Sequence, residues 1–108
     1  MAVTTVGSAL NCVGIETANS VTSAASESLA VPVKARHCII AVQSVAARWT
    51  ADGTTPVTGA AGTGVGIPAV AGTSISFMDA NIDYYSVMRA FKIVGNGGTT
   101  IIDCVYFD

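Results

Sequence analysis

Histidine occurs once in this 108-residue chain, so any imidazole-dependent proton transfer must use His37. It stands at the start of an apolar run, His37–Val42, with no acid or nucleophile in a recognisable pattern beside it. Ser74 and Ser76 lie outside the Gly-x-Ser-x-Gly elbow that raises a nucleophilic serine above a sheet. Asp79-Ala80-Asn81-Ile82-Asp83 opens like a calcium loop, but Tyr84 stands where the glycine is required and Ala90 where the closing glutamate belongs. The same spacing suits turns, because Asp and Asn side chains bond the backbone two residues on. That accounts for Asp79 and Asp83 without paired-carboxylate chemistry. Gly62-Thr63-Gly64-Val65-Gly66 misses the dinucleotide fingerprint, and no Gly-Lys-Ser/Thr follows it. Cys12, Cys38 and Cys104 form an odd, dispersed set, and with one histidine they make no zinc pattern. The expectation is a protein that is not an enzyme and uses no cofactor or metal.

Elements must still position these residues, and composition says of which kind. Val and Ile are plentiful while Leu occurs only at 10 and 29. With abundant Thr, Ser and Gly, this usage favours pleated strands over helices. The expected class is all-β, a single β-sandwich or jelly-roll-like domain.

Hydrophobic residues make up 51% and charged residues 11% of the chain, against roughly 25% charged in ordinary domains. So few charges cannot cover a free surface, which leaves a membrane protein or a subunit buried against neighbours. No apolar run approaches the ~20 residues of a spanning helix, and Met1–Ser20 lacks the basic start and apolar block of a secretory signal. Assembly is favoured, with no membrane partner and with free thiols made in a reducing cytoplasm. A net charge of −2 with five scattered cations gives no footprint for nucleic acid.

Along the chain, residues 1–19 read as an extended arm and 20–108 as the sandwich. Glu27–Val33 reads as an edge strand with Leu29, Val31 and Val33 on one face, its end marked by Pro32. His37–Val42 is apolar on both faces, so it should be covered twice; Gln43-Ser44 interrupts it before Val45, Ala47 and Trp49. Residues 51–72 form a Gly- and Ala-rich loop beyond the usual length, expected to be functional, pinned by a partner, or mobile. Thr73–Met78 alternates, with Ile75 and Phe77 inward. Tyr85–Val94 reads as a strand, joined through Gly95-Asn96-Gly97-Gly98 to Thr99–Phe107 as a hairpin. The last strand is apolar on both faces and should be central or shielded. Trp49, in a two-faced apolar strand, reads as a buried anchor rather than an exposed platform for a sugar.

At Arg48-Trp49-Thr50-x-Asp52-Gly53-Thr54-x-Pro56, then Gly66-Ile67-Pro68 and Ala71-Gly72, the chain resembles small structural proteins of tailed bacteriophages. The likeness extends over residues 37–107 and includes a hydrophobic last strand, Ile101–Phe107. The segment between Pro56 and Gly66 is richer in Ala and Gly than that pattern. The resemblance implies a β-sandwich or jelly-roll subunit of the virion. The expected role is a capsid decoration (cement) protein that binds the major capsid protein or other virion subunits and forms a homo-oligomer. Its expected contacts are Val3, Val6 and Leu10 in the arm, Trp49 at the loop base, and Pro56, Ile67 and Pro68 in the loop. A neck or tail adaptor is the alternative within the virion. A glycan-binding attachment module, using Trp49 or Tyr84-Tyr85, is the alternative outside that class.

Overall fold

The computed structural model describes residues 11–60 and 62–108. Val3, Val6 and Leu10 lie outside the described residues. Eight strands and one short helix follow in order: β1 (Cys12–Val21), β2 (Glu27–Ser28), β3 (His37–Val42), β4 (Ala47–Thr50), β5 (Ile67–Ala69), β6 (Ser74–Phe77), α1 (Tyr85–Ala90), β7 (Lys92–Gly95) and β8 (Thr100–Phe107).

Two four-stranded sheets result, ordered β1-β8-β3-β6 and β2-β7-β4-β5. Every strand pairing is antiparallel. Four of the pairs, β1·β8, β2·β7, β3·β6 and β4·β5, are the rungs of one long ribbon folded back on itself at the β4–β5 loop. Two more, β3·β8 and β4·β7, join the wound ribbon to itself. A ribbon wound into two facing sheets is a jelly roll. The all-β sandwich expected from the Val- and Ile-rich composition is the observed fold.

β8 alternates without a fault, with Thr100, Ile102, Cys104 and Tyr106 buried and their neighbours half-buried. It lies between β1 and β3, the sheltered position its two apolar faces require. On β3, Cys38, Ile40 and Val42 face the same core. Ile93, Phe91 and Met88 close it from the other sheet and from α1. Burying each large apolar side chain contributes about 1.5–3 kcal/mol.

Four expectations need correction. The boundary placed at residue 19 falls inside β1, which pairs with β8 from Cys12↔Phe107 to Val21↔Thr100. Register shifts at Cys12/Gly14 and Glu16/Asn19 break the alternation that marks a strand in sequence. Glu16 ties β1 down: its carboxylate accepts from the Tyr106 hydroxyl, from Asn19 Nδ2 at 3.0 Å and from the Ala30 N–H at 3.3 Å. The strand expected over Glu27–Val33 is only Glu27–Ser28, and Val33 is 88% exposed while Leu29 is buried.

The strand expected over residues 85–94 begins as a helix. Asp83 Oδ1 accepts from the Tyr85 N–H at 2.9 Å and starts the turn. Met88 is the buried residue of α1, and Arg89 donates to the Tyr85 hydroxyl one turn back at 3.0 Å. The expected β7–β8 hairpin is not one, because β7 and β8 belong to opposite sheets. Gly95–Gly98 instead turns a corner between the sheets. There the Gly95 N–H donates to Thr22 O at 3.0 Å and the Asn96 N–H to Ala46 O at 2.8 Å, so three sheet-to-sheet connections interlock. A Cβ on Gly95 would lie 2.1 Å from Gly98 O, which is why glycine stands at that corner. The interruption read at Gln43-Ser44 is another of these crossings.

Candidate functional site

The long loop starts from β4, a strand whose two faces do different work. Ala47 and Trp49 point to the core, while Arg48 and Thr50 point outward and are nevertheless buried. What covers them is the loop itself. Arg48 is only 7% exposed and its guanidinium faces backbone carbonyls rather than a carboxylate. Nε and Nη2 donate to Gly59 O at 3.2 and 3.0 Å, Nη2 to Ala60 O at 3.2 Å, and Nη1 to Gly66 O at 2.9 Å. A buried cation is tolerated when its donors are filled in this way. A Cβ on Gly64 would lie 2.4 Å from Arg48 Nε, so the guanidinium packs directly on that glycine.

The other residues of the signature build the same loop. Asp52 Oδ1 accepts from the Thr54 N–H at 3.0 Å, and the Thr50 hydroxyl donates to Thr54 O. The Thr54 N–H, helped by the Thr54 side chain, holds the Asp52 carboxyl below its ordinary value. Pro56 is buried. Val57 and Val65 then exchange two backbone hydrogen bonds of 3.0 and 2.9 Å. From the neighbouring corner, Asn96 Oδ1 accepts from the Gly59 N–H at 2.9 Å. The loop expected to be functional, pinned by a partner or mobile is pinned by its own chain.

On the inner face of β4, Trp49 is half-buried. Phe91 stacks on it at 5.5 Å between centroids, and Phe77 meets it edge-on at 5.9 Å. Opposite Trp49 in the ladder stands Ile67, 54% exposed. Trp49, Ile67, Phe77 and Val65 line an open groove of about 560 Å³ along the side of the sandwich where β5 and β6 are the edge strands. Of the described contact residues, the structure brings Trp49, Ile67 and Pro68 to this side and places Pro56 inside, off the outer surface.

Most of the residues with chemical potential are occupied structurally; the exceptions are His37 Nδ1, buried without a hydrogen-bond partner, and the exposed thiol of Cys12. His37 is 4% exposed, with Nε2 on Asp79 O at 2.9 Å, so Nε2 carries the proton, and Tyr84 edge-on at 5.9 Å. Asp79 and Asp83 make the turns expected of them, accepting from the Asn81 and Tyr85 N–H groups at 2.9 Å each. Among the described residues, no group of three or more His, Cys, Asp or Glu side chains is placed to hold a metal ion. Cys38 and Cys104 are buried free thiols and Cys12 an exposed one. The contact with Cys104, together with burial, pushes the Cys38 thiol far above its ordinary value, so it is an unreactive core group. Sequence reasoning missed Arg48 and Asn96 as loop clamps and Glu16 as the anchor of β1. The signal for Arg48 was its place between two apolar residues in a strand, where a solvated cation does not belong.

Comparisons with protein-family models, with curated proteins and with solved structures returned no match for this chain. Among the described residues, no helix is long and apolar enough to cross a membrane.

Proposed function

We propose that this chain is a structural subunit of a tailed-phage particle, acting as a capsid decoration (cement) protein through protein–protein contacts. The observation that carries the reading is the distribution of charge on the fold. Residues 53–78 contain no Asp, Glu, Lys or Arg; they form the outer loop, both edge strands of one side and one wall of the groove, whose other wall is Trp49, Thr50, Ala51 and a single charged residue, Asp52. A surface of that kind is suited to being covered by protein. The signature from Arg48 to Pro56 supports placing it in a virion, because those residues build the presented loop.

Quantitative mass spectrometry of purified particles tests this. Copies comparable to the major capsid protein are expected. A small ring-like number moves the chain to the neck or tail, and absence from the particle overturns the virion reading. The arm is tested separately by deleting residues 2–10, a cut that spares β1. Unchanged particle occupancy would remove Val3, Val6 and Leu10 from the contact surface.

A further inference from the structure

Every open sheet has edges, and soluble proteins guard them with short strands, bulges, proline or charge. Among the described residues the two sheets have four edges, and three of them are guarded. β1 is bulged twice and carries Glu16. β2 is two residues long and carries Glu27. β5 is three residues long and carries Pro68, which has no N–H to offer. β6 differs: its register with β3 is unbroken over Ser74–Phe77, and it has no proline and no charge.

The free groups of β6 follow from the ladder. Val42 N–H donates to Thr73 O at 2.9 Å. Antiparallel pairs alternate, so Thr73, Ile75 and Phe77 turn their backbone groups to β3, while Ser74 and Ser76 turn theirs outward. Among the described residues, no hydrogen bond outside the β3 ladder uses the Ser74 or Ser76 backbone. Both serine side chains are exposed on the outer face of the sheet.

We propose that β6 pairs antiparallel with β6 of a second copy of this chain, joining the two β1-β8-β3-β6 sheets across a two-fold axis at Ser76. The occupant is argued from self-complementarity. The pleat demands that residues of like face oppose each other. A two-fold at Ser76 meets that demand, setting Ser76 against Ser76 and Ile75 against Phe77, so that the outward Ser76 N–H of each copy donates to the Ser76 C=O of the other. No like charges meet, because the stretch from 53 to 78 has none. Four residues of strand do not make an interface of the usual ~800 Å² per partner. The apolar surface continues, however, through Ile67 and Val70, 54% and 67% exposed on the same side. The inference deepens the assembly reading given above and concerns the purified chain alone, so its failure leaves the copy number in particles as a separate result.

Sedimentation equilibrium of the purified chain, from micromolar to submillimolar concentration, should show a dimer. Ser76→Lys and Ser76→Glu each place like charges opposite one another across the axis. Each should weaken the dimer at least tenfold, and an equimolar mixture of the two should recover it. As a measurement that needs no variant, the Ser74 and Ser76 amides should be protected from hydrogen exchange at high concentration and lose that protection on dilution. A monomer at every concentration, or a dimer with both amides unprotected, overturns the proposal. So does a dimer indifferent to both substitutions.

Discussion

Asn96 closes on Gly59 with both of its polar atoms. Its Oδ1 accepts from the Gly59 N–H at 2.9 Å, and its Nδ2 donates to the Gly59 carbonyl at 3.3 Å. The same carbonyl takes two donors from Arg48. A residue at a sheet-to-sheet corner and a residue on β4 thus grip one point of the long loop from two sides.

Removing either grip should free the loop before it unfolds the sandwich. Arg48→Ala strips charge-assisted bonds from three carbonyls and is expected to cost ~2 kcal/mol or more in urea denaturation. Asn96→Ala should cost ~1 kcal/mol. Arg48→Lys should rescue little, since one ammonium cannot span Gly59 and Gly66 as the planar fork does. Hydrogen exchange at Val57 and Val65 checks the local effect. Unchanged protection of those amides in Arg48→Ala would show that the loop holds without its clamp.

Trp49 should behave as a half-buried side chain, packed on its inner side and open to the groove on the other. With Phe91 stacked on it and Phe77 at its edge, iodide should quench its fluorescence less in the native chain than in urea. Trp49→Ala should cost ~3–5 kcal/mol. Quenching as strong in the native as in the unfolded chain would reopen the sugar-stacking reading.

Stability should fall on the alkaline side. Burial, and then the hydrogen bond to Glu16, push the Tyr106 hydroxyl above its ordinary value. The folded chain therefore keeps a proton that the unfolded chain loses above about pH 10. The stabilisation is complete below that pH and is lost as pH rises past it, by about 1.4 kcal/mol per pH unit. Denaturation curves from pH 8 to 11 should show the decline, and Tyr106→Phe should flatten it.

Ala18 holds φ at 54° inside the second bulge of β1, with its N–H on Asp103 Oδ1 at 2.7 Å. Left-handed backbone strains any residue with a Cβ. Ala18→Gly should therefore stabilise the chain by roughly 0.5–1 kcal/mol, less the extra entropy of an unfolded glycine. A lower thermal midpoint would mean that the bulge does not need that conformation.

The sequence was most legible where one physical demand acts on a segment. β3 and β8 are the two inner strands of their sheet, with one face buried and the other half-buried, and their apolar pattern is visible without coordinates. The turns at Asp79 and Asp83 were visible for the same kind of reason, since a short side chain bonds its own backbone. Misreadings arose where one signal serves two geometries. Gly95-Asn96-Gly97-Gly98 supplies positive φ (111° at Gly97) to a corner as readily as to a hairpin. The bulges of β1 erased its alternation, so its first eight residues read as arm. The site was half legible: Trp49 and Ile67 show their apolar character in the sequence. The clamp on the loop joins Arg48 to carbonyls 11 to 18 residues away, and backbone carbonyls carry no residue-type signal.

β8 has one further consequence, for the order in which the chain can fold as it is made. Synthesis delivers β1 well before β8, yet among the described residues β1 pairs only with β8, and β3 needs β8 on one of its sides. The centre of that sheet is thus the last strand to emerge. Until residues 100–107 leave the ribosome, β1 lacks its partner among the described strands and one edge of β3 stays unpaired. Native structure in that sheet should arise after translation passes β8 rather than growing with the nascent chain.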